Sequence, residues 1–206
     1  MNNKSIDINQ RIPLDTLYAA LEAYLNDSYS NEYVLEQLRL DFKGENRLKK
    51  ALRIVNRIIK GNPLKTFLDD NKDVLNLAIT KKTDRNIILI ALLNSAFPFS
   101  FDVLSVFGKY FSVQDIINSD TIKKTISNTY GGNRATENGM YSVVPMFLEA
   151  GFFKRPKMGV YQSLNKLNAI NYITTQIYKE SYKVNNQYSS LTQYHFEDPY
   201  FNFIVL

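Results

Sequence analysis

The stretch that decides the fold runs from Ser119 to Tyr161 and reads SDTIKKTISNTYGGNRATENGMYSVVPMFLEAGFFKRPKMGVY. It contains two helical patterns, separated by the break Tyr130-Gly131-Gly132-Asn133. The second pattern begins at Arg134 and extends towards Ala150, where Gly151 is typical of a helix end. The stretch therefore predicts two consecutive helices joined by a very short turn.

Two short apolar and basic runs follow that helical pair. They are Phe152–Arg155 and Val160–Gln162, and they flank the turn sequence Pro156-Lys157-Met158-Gly159. A helix, a tight turn, a second helix and a small basic hairpin is the order found in a winged helix-turn-helix. Modules of this kind bind duplex DNA, so the stretch predicts a winged-helix-like module.

The charge of this region is consistent with a polyanionic partner. Between Thr121 and Lys166 there are seven Lys and Arg residues and two Glu residues. The region thus has a net charge of +5, which equals the formal charge of the whole chain. Because an AT-rich genome also raises the lysine content, the distribution of charge is more informative than the total.

The predicted turn and hairpin define a first set of candidate DNA-binding residues. Gly131 and Gly132 permit a positive φ in the turn, and Asn133 can cap the helix that follows. Side chains near the start of that helix can reach groove edges or phosphates, and cations on the hairpin can contact the backbone. The predicted contacts are Lys123, Lys124, Arg134, Thr136, Asn138, Tyr141, Lys154, Arg155 and Lys157.

A second basic surface is predicted on the helix that begins at Glu45. Apolar residues form one stripe of this helix, while a different face carries cations spaced by three and four residues. Such a face can follow a phosphate backbone, although alone it is more typical of a solvated face of a bundle helix. We expect it to lie apart from the hairpin and to give sequence-independent support. The residues concerned are Lys50, Arg53, Arg57 and Lys60.

The whole pattern predicts an all-α protein in which only the short β-hairpin and the C-terminal six residues are extended. An N-terminal helical bundle is expected over residues 1–97 and the winged-helix-like module with a tail over 98–206. Local signals predict that Ser100 caps a helix and that a short helix covers Val113–Asn118. They also predict that Pro145 kinks or divides its helix, and that the last long helix runs from about Lys166 to Tyr182.

The composition excludes several classes of site. The 206 residues include no Cys and a single His, which removes disulfides, thiol nucleophiles and clustered His ligation of a metal. We expect neither a cofactor nor a metal, and no small-molecule substrate is evident. The N-terminal sequence lacks an apolar signal region, and the longest apolar run, Ile87–Leu93, is too short to span a membrane. A soluble, cytoplasmic protein without a membrane partner is expected.

No catalytic motif is recognisable. The acidic pairs Asp69-Asp70 and Glu197-Asp198 consist of adjacent residues, which do not share a helix face. Gly131-Gly132 lacks the Lys-Ser/Thr of a phosphate-binding loop. His195 could act as a general base, but a histidine in a polar tail is more often structural or solvated. The sequence therefore predicts a protein that is not an enzyme.

The chain resembles the small BrxA proteins of BREX phage-defence systems. The resemblance rests on the basic segment GENRLKKALRIVNRI (44–58), the apolar segment DRNIILIALLNSAFPFSFDVLSVFGKYF (84–111) and the pattern Leu148-Glu149-Ala150-Gly151. It covers nearly the whole chain, although the Gly131-Gly132-Asn133 turn and the C-terminal tail have no counterpart in it. The resemblance implies a DNA-binding accessory factor within a multi-protein defence system, and it assigns no individual binding residue.

Two functions from different classes are consistent with the sequence. The first is non-enzymatic binding of double-stranded DNA in a defence complex, with other proteins of that system as further partners. The alternative is a winged-helix protein that acts as a protein–protein interaction adaptor, its basic faces docking acidic partners, or as a transcriptional regulator. Salt-dependent binding to duplex DNA separates DNA binding from an adaptor role.

Overall fold

A computed structural model describes residues 5–206, which form a mostly helical fold with two small sheets. The α-helices are α1 Leu14–Leu25, α2 Asn31–Arg39, α3 Glu45–Ile58, α4 Lys65–Asp70, α5 Lys72–Ile79, α6 Lys82–Ala96, α7 Pro98–Phe111, α8 Ser119–Tyr130, α9 Arg134–Ala150 and α10 Tyr172–Asn186. The strands are β1 Ile116–Asn118, β2 Phe153–Lys157, β3 Val160–Ser163, β4 Leu167–Asn168 and β5 Ile204–Val205. Two 3₁₀-helices, Gln193–Glu197 and Pro199–Phe203, lie in the C-terminal tail.

Helix α6 forms the centre of the core. Every residue from 86 to 96 is buried, as expected of a helix that is apolar on all sides. It packs against α7 and α10, which follow it in the chain, and against α1, α3 and α5, which precede it. The buried residues of segments 1–97 and 98–206 consequently belong to one hydrophobic cluster.

The predicted hairpin is present. Strands β2 and β3 are antiparallel, with Phe153 opposite Ser163 and Lys154 opposite Gln162. Gly151 ends α9 with a left-handed φ of +80°, which residues with a Cβ rarely adopt. Both predictions about this segment are therefore confirmed.

The predicted short helix over Val113–Asn118 is wrong, because residues 116–118 form strand β1. Ile117 is fully buried while Ile116 and Asn118 are exposed, which is the alternation of a half-buried strand. Strand β1 pairs with β3, so the sheet has the order β1-β3-β2. A partner about forty residues further along the chain thus decides the state of this segment.

Two local predictions about helices are also corrected. Ser100 does not cap α7, since Pro98 occupies the first turn and the Ser100 hydroxyl donates to Asn94 Oδ1 at 2.6 Å. Pro145 does not divide α9, which is one helix of 17 residues. Val144 and Met146, the neighbours of Pro145, are buried. Their packing stabilises the helix, although the proline cannot donate a backbone hydrogen bond.

The last long helix begins at Tyr172 instead of near Lys166. The buried carboxylate of Asp84 accepts hydrogen bonds from the backbone N–H groups of Ile170 and Asn171, at 2.9 and 3.2 Å. Just before them, Leu167 pairs in parallel with Ile204. These contacts hold residues 167–171 in a non-helical path, although their apolar spacing is that of a helix.

The C-terminal six residues were predicted to be extended, and this holds only for β5. Phe201 and Phe203 lie in a 3₁₀-helix and are almost completely buried. Together with Tyr200 they pack against α7 and α10. The end of the tail, residues 200–204, is therefore part of the core.

Candidate nucleic-acid interface

The turn between α8 and α9 is fixed by its own side chains. Gly131 has a φ of +85°, and the Asn133 side chain accepts from the backbone N–H groups of Ala135 and Thr136, at 2.9 and 3.1 Å. The Thr136 hydroxyl donates to the Gly131 carbonyl at 2.6 Å, and Thr136 is only 1% exposed. Thr136 thus closes the turn and does not reach the surface, in contrast to its predicted role as a contact residue.

The other three candidates of α9 lie on its outward face. Arg134, Asn138 and Tyr141 are exposed, and their spacing of four and three residues places them on one side of the helix. Tyr141 is 61% exposed. The outward face of α9 thereby presents a cation, an amide and a phenol to solvent.

A groove of about 570 Å³ lies between α8, α9 and the β2–β3 hairpin, and we call it the hairpin groove. Much of its lining is apolar and includes Met140, Val144, Leu148 and Met158. Met158, at the tip of the hairpin, is 89% exposed. Tyr141, on the outward face of α9, also lines the hairpin groove.

Two of the candidate cations line the hairpin groove. The Lys123 ammonium lies 5.9 Å from the centre of the Tyr141 ring and 3.9 Å from Asp120 Oδ1. The Arg155 guanidinium lies 5.8 Å from the centre of the Tyr161 ring. Contact with these aromatic faces holds both cations at the groove while leaving their donors accessible.

Burial raises the pKa of the Tyr161 phenol, and the positive charge of Arg155 partly opposes that rise. Tyr161 therefore stays neutral at physiological pH. No phenolate develops beside Arg155, so the positive charge of the groove is retained.

The remaining cations of this region are exposed outside the groove lining. Lys124 lies on α8, and Lys154 and Lys157 lie on β2. Strand β2 is an edge of the sheet, so its lysines face solvent beside unpaired backbone groups.

The predicted basic face of α3 divides into two parts. Lys50 and Arg53 are exposed. Arg57 is engaged within the fold, since its guanidinium lies 3.2 Å from Asp7 Oδ2 and 4.5 Å from the centre of the Phe97 ring. Lys60 lies beyond the end of α3 and lines a separate cavity that also contains Lys65 and Lys72.

A second groove, of about 600 Å³, joins α3 to α9, and we call it the α3 groove. Arg47 and Lys50 of α3 line it together with Asn138 and Tyr141 of α9. The structure therefore places Lys50 next to the outward face of α9, whereas the sequence led us to expect two separate surfaces.

Arg11 also lines the α3 groove, and no sequence motif marked it. Its guanidinium pairs with Glu149 Oε2 at 2.6 Å, while Glu149 Oε1 accepts from the backbone N–H of Leu14 at 2.9 Å. Glu149 thus caps the start of α1 and ties it to the end of α9. A contact over more than 130 residues leaves no local signal in the sequence.

Asp69 and His195, considered above as catalytic groups, make structural contacts within the fold. Asp69 pairs with Lys65 and accepts from the Tyr24 hydroxyl at 2.6 Å. His195 Nδ1 accepts from the backbone N–H of Thr192 at 2.9 Å, which caps the first 3₁₀-helix of the tail.

Within residues 5–206, no group of three or more His, Asp or Glu side chains could hold a metal ion. In the same part of the chain, no helix is long and apolar enough to cross a membrane.

The chain was compared with protein-family models, with curated proteins and with solved structures, and none of them matches it.

Proposed function

We propose that residues 98–163 form a winged helix-turn-helix that binds double-stranded DNA, and that the protein acts without catalysis. The order α7-β1-α8-α9-β2-β3, with sheet order β1-β3-β2, supports this assignment. In such a module α9 is the recognition helix and the β2–β3 hairpin is the wing. The three-residue turn between α8 and α9 agrees with this assignment.

The observation that carries the proposal is the convergence of α9 and the basic hairpin on one groove. Arg134, Asn138 and Tyr141 supply groups that can contact base edges. Lys154, Arg155 and Lys157 on the hairpin, with Lys123 and Lys124 on α8, supply cations for phosphates. In the cell, we propose a cytoplasmic role within a BREX-like defence complex, together with its other proteins.

The apolar lining of the hairpin groove favours one second candidate, a protein-docking adaptor. Met140, Val144, Leu148 and Met158 could receive an apolar side chain of a protein partner. We place DNA binding first because the exposed start of α9 is polar and the hairpin carries the exposed cations Lys154, Arg155 and Lys157.

We expect binding to duplex DNA that weakens steeply as the salt concentration rises. Each phosphate neutralised by a Lys or Arg contributes about 0.9 to the slope of log K against log salt. Four to six contacts would give a slope of roughly −4 to −5, measurable by fluorescence anisotropy with a labelled duplex. An affinity that does not change with salt, or no binding to duplex at low salt, would favour the adaptor.

We also expect the isolated chain not to cleave DNA in the presence of Mg²⁺ or Mn²⁺. Incubation with supercoiled plasmid should leave it intact on a gel. Cleavage that disappears when Asp69, Asp70, Glu197 or Asp198 is replaced by alanine would show that the protein is a nuclease.

A further inference from the structure

Three neighbouring concavities of the surface share residues. Tyr141 lines both the hairpin groove and the α3 groove. Lys50 lines both the α3 groove and a smaller depression of about 380 Å³, formed with Asn46, Lys49 and Arg53. The surface is therefore continuous from the hairpin, across α9, to the outer side of α3, and we call it the basic track.

The basic track carries seven cations and two carboxylates. The carboxylates are Asp120 and Asp41, and Asp41 accepts a hydrogen bond from the Thr16 hydroxyl at 3.1 Å. The cations are Arg11, Arg47, Lys49, Lys50, Arg53, Lys123 and Arg155.

Most of these cations are available to a ligand. Among residues 5–206, Arg47, Lys49, Lys50, Arg53 and Arg155 form no ion pair and all are exposed. A phosphate can approach such a side chain without breaking an existing pair. The basic track thus differs from the neighbouring part of α3, where Arg57 is already paired with Asp7.

Helices α9 and α3, which both border the basic track, are held in a fixed relation. The contacts of Glu149 with Arg11 and Leu14 connect α9 to the N-terminal segment. The Gln10 side chain then donates to the Arg47 carbonyl at 3.3 Å, which connects that segment to α3. The α3 helix that carries Arg47 and Lys50 is therefore positioned relative to α9 before any ligand binds, which lowers the entropic cost of binding.

We propose that α3 binds the phosphate backbone of the same DNA duplex that α9 and the hairpin contact, on the flank of the contacted site. This inference rests on the proposed function, since it extends the same interface. The 14 residues of α3 span about 21 Å, which is comparable with the length of about six base pairs of duplex. The lining of the α3 groove is mainly polar, which suits a wet, highly charged contact with nucleic acid better than an apolar protein contact.

The test compares the double variant Arg47→Ala/Lys50→Ala with the wild-type chain on duplexes of two lengths. On a duplex of about 30 base pairs, three helical turns, we expect the salt slope to fall by about 2 and the affinity to drop at least fivefold. On a duplex of about 10 base pairs, one turn, there is little flanking backbone for α3 to contact. There we expect the variant and the wild type to differ by less than about twofold.

The matched control is Lys81→Ala/Lys82→Ala, which removes the same formal charge from two exposed lysines that do not line the basic track. It should leave the affinity and the salt slope on the long duplex close to those of the wild type. If the Arg47/Lys50 variant behaves like this control on both duplexes while the wild type binds, the inference is overturned and the proposed function stands. If the wild type binds neither duplex, both fail.

Discussion

Replacement of Gly108 by alanine is expected to destabilise the whole fold. An added Cβ would lie 2.0 Å from the Pro199 carbonyl oxygen and 2.8 Å from its carbon, closer than such atoms approach in proteins. The obstacle is backbone, so the 3₁₀-helix Pro199–Phe203 has to move away from α7. That displacement would also break the 2.9 Å hydrogen bond from the Asn202 side chain to the Gly108 carbonyl.

The expected loss of stability in the Gly108→Ala variant follows from two opposing effects. Overpacking typically costs about 1–3 kcal/mol, and a contact as short as this one belongs at or above the upper end. The better helix propensity of alanine offsets about 1 kcal/mol. We expect a net loss of about 2 kcal/mol or more in the free energy of unfolding, and for a chain of this size a fall in Tm of about 4–8 °C. Thermal unfolding followed by circular dichroism measures this fall in Tm.

Gly61→Ala provides the control. Its added Cβ would lie 3.5 Å from the nearest atom, the Asn56 carbonyl oxygen, which is an ordinary contact, and its φ is not left-handed. We expect Tm to change by less than about 2 °C. Equal Tm values for the Gly108 and Gly61 variants would contradict the close packing of the tail on α7.

The tail matters for the interface because it packs beneath the hairpin. The Phe203 ring centre lies 6.3 Å from that of Phe153 at the start of β2, and Phe153 stacks on Phe107 of α7 at 4.2 Å. The ring of Tyr161, on β3, lies 5.0 Å from Phe107. Displacing the tail therefore removes support from the start of β2.

The parts of the fold that local chemistry determines could be predicted from the sequence. Asn133 caps α9 and Gly151 ends it, so both ends of that helix were predicted to the residue. The spacing of Ser30 before an apolar helical pattern likewise predicts a cap for α2, and the Ser30 hydroxyl accepts from the Tyr33 N–H at 3.0 Å. Each of these signals lies within a few residues of the boundary that it sets, so no tertiary contact is needed to read it.

The parts that distant contacts determine could not be predicted. Strand β1 depends on β3, and the start of α10 depends on the Asp84 carboxylate more than eighty residues earlier. The same limit applies to the candidate site. Periodicity shows that Lys50 and Arg57 share a face of α3, but it does not show that one borders α9 while the other is paired with Asp7.

Replacement of both Arg134 and Arg155 by alanine is expected to cause the largest loss of DNA binding. Arg134 begins the proposed recognition helix, and Arg155 of β2 lines the hairpin groove. If Arg134 contacts a base edge, its loss costs about 1–3 kcal/mol, roughly 5- to 150-fold in affinity, and relaxes sequence preference at that position. Arg155 as a phosphate contact adds a uniform loss and lowers the salt slope by about 0.9.

The matched comparison uses Lys49→Ala/Arg53→Ala on the outer side of α3. Both residues are exposed and form no ion pair among residues 5–206, so their replacement removes the same formal charge without disturbing the fold. Arg57 is unsuitable for this purpose, because its contacts with Asp7 and Phe97 make its replacement a test of stability. Thermal unfolding should give similar Tm values for both double variants and the wild type.

The ranking of the two double variants locates the centre of the interface. A contact to a base edge depends on position and sequence, whereas a phosphate contact adds the same small increment on any duplex. The Arg134/Arg155 variant should therefore lose more affinity than the Lys49/Arg53 variant, and most of the difference should appear on a preferred sequence. The opposite ranking would move the DNA site to α3. In that case the exposed face of α9 and the apolar lining of the hairpin groove would become the better candidate for docking a protein partner.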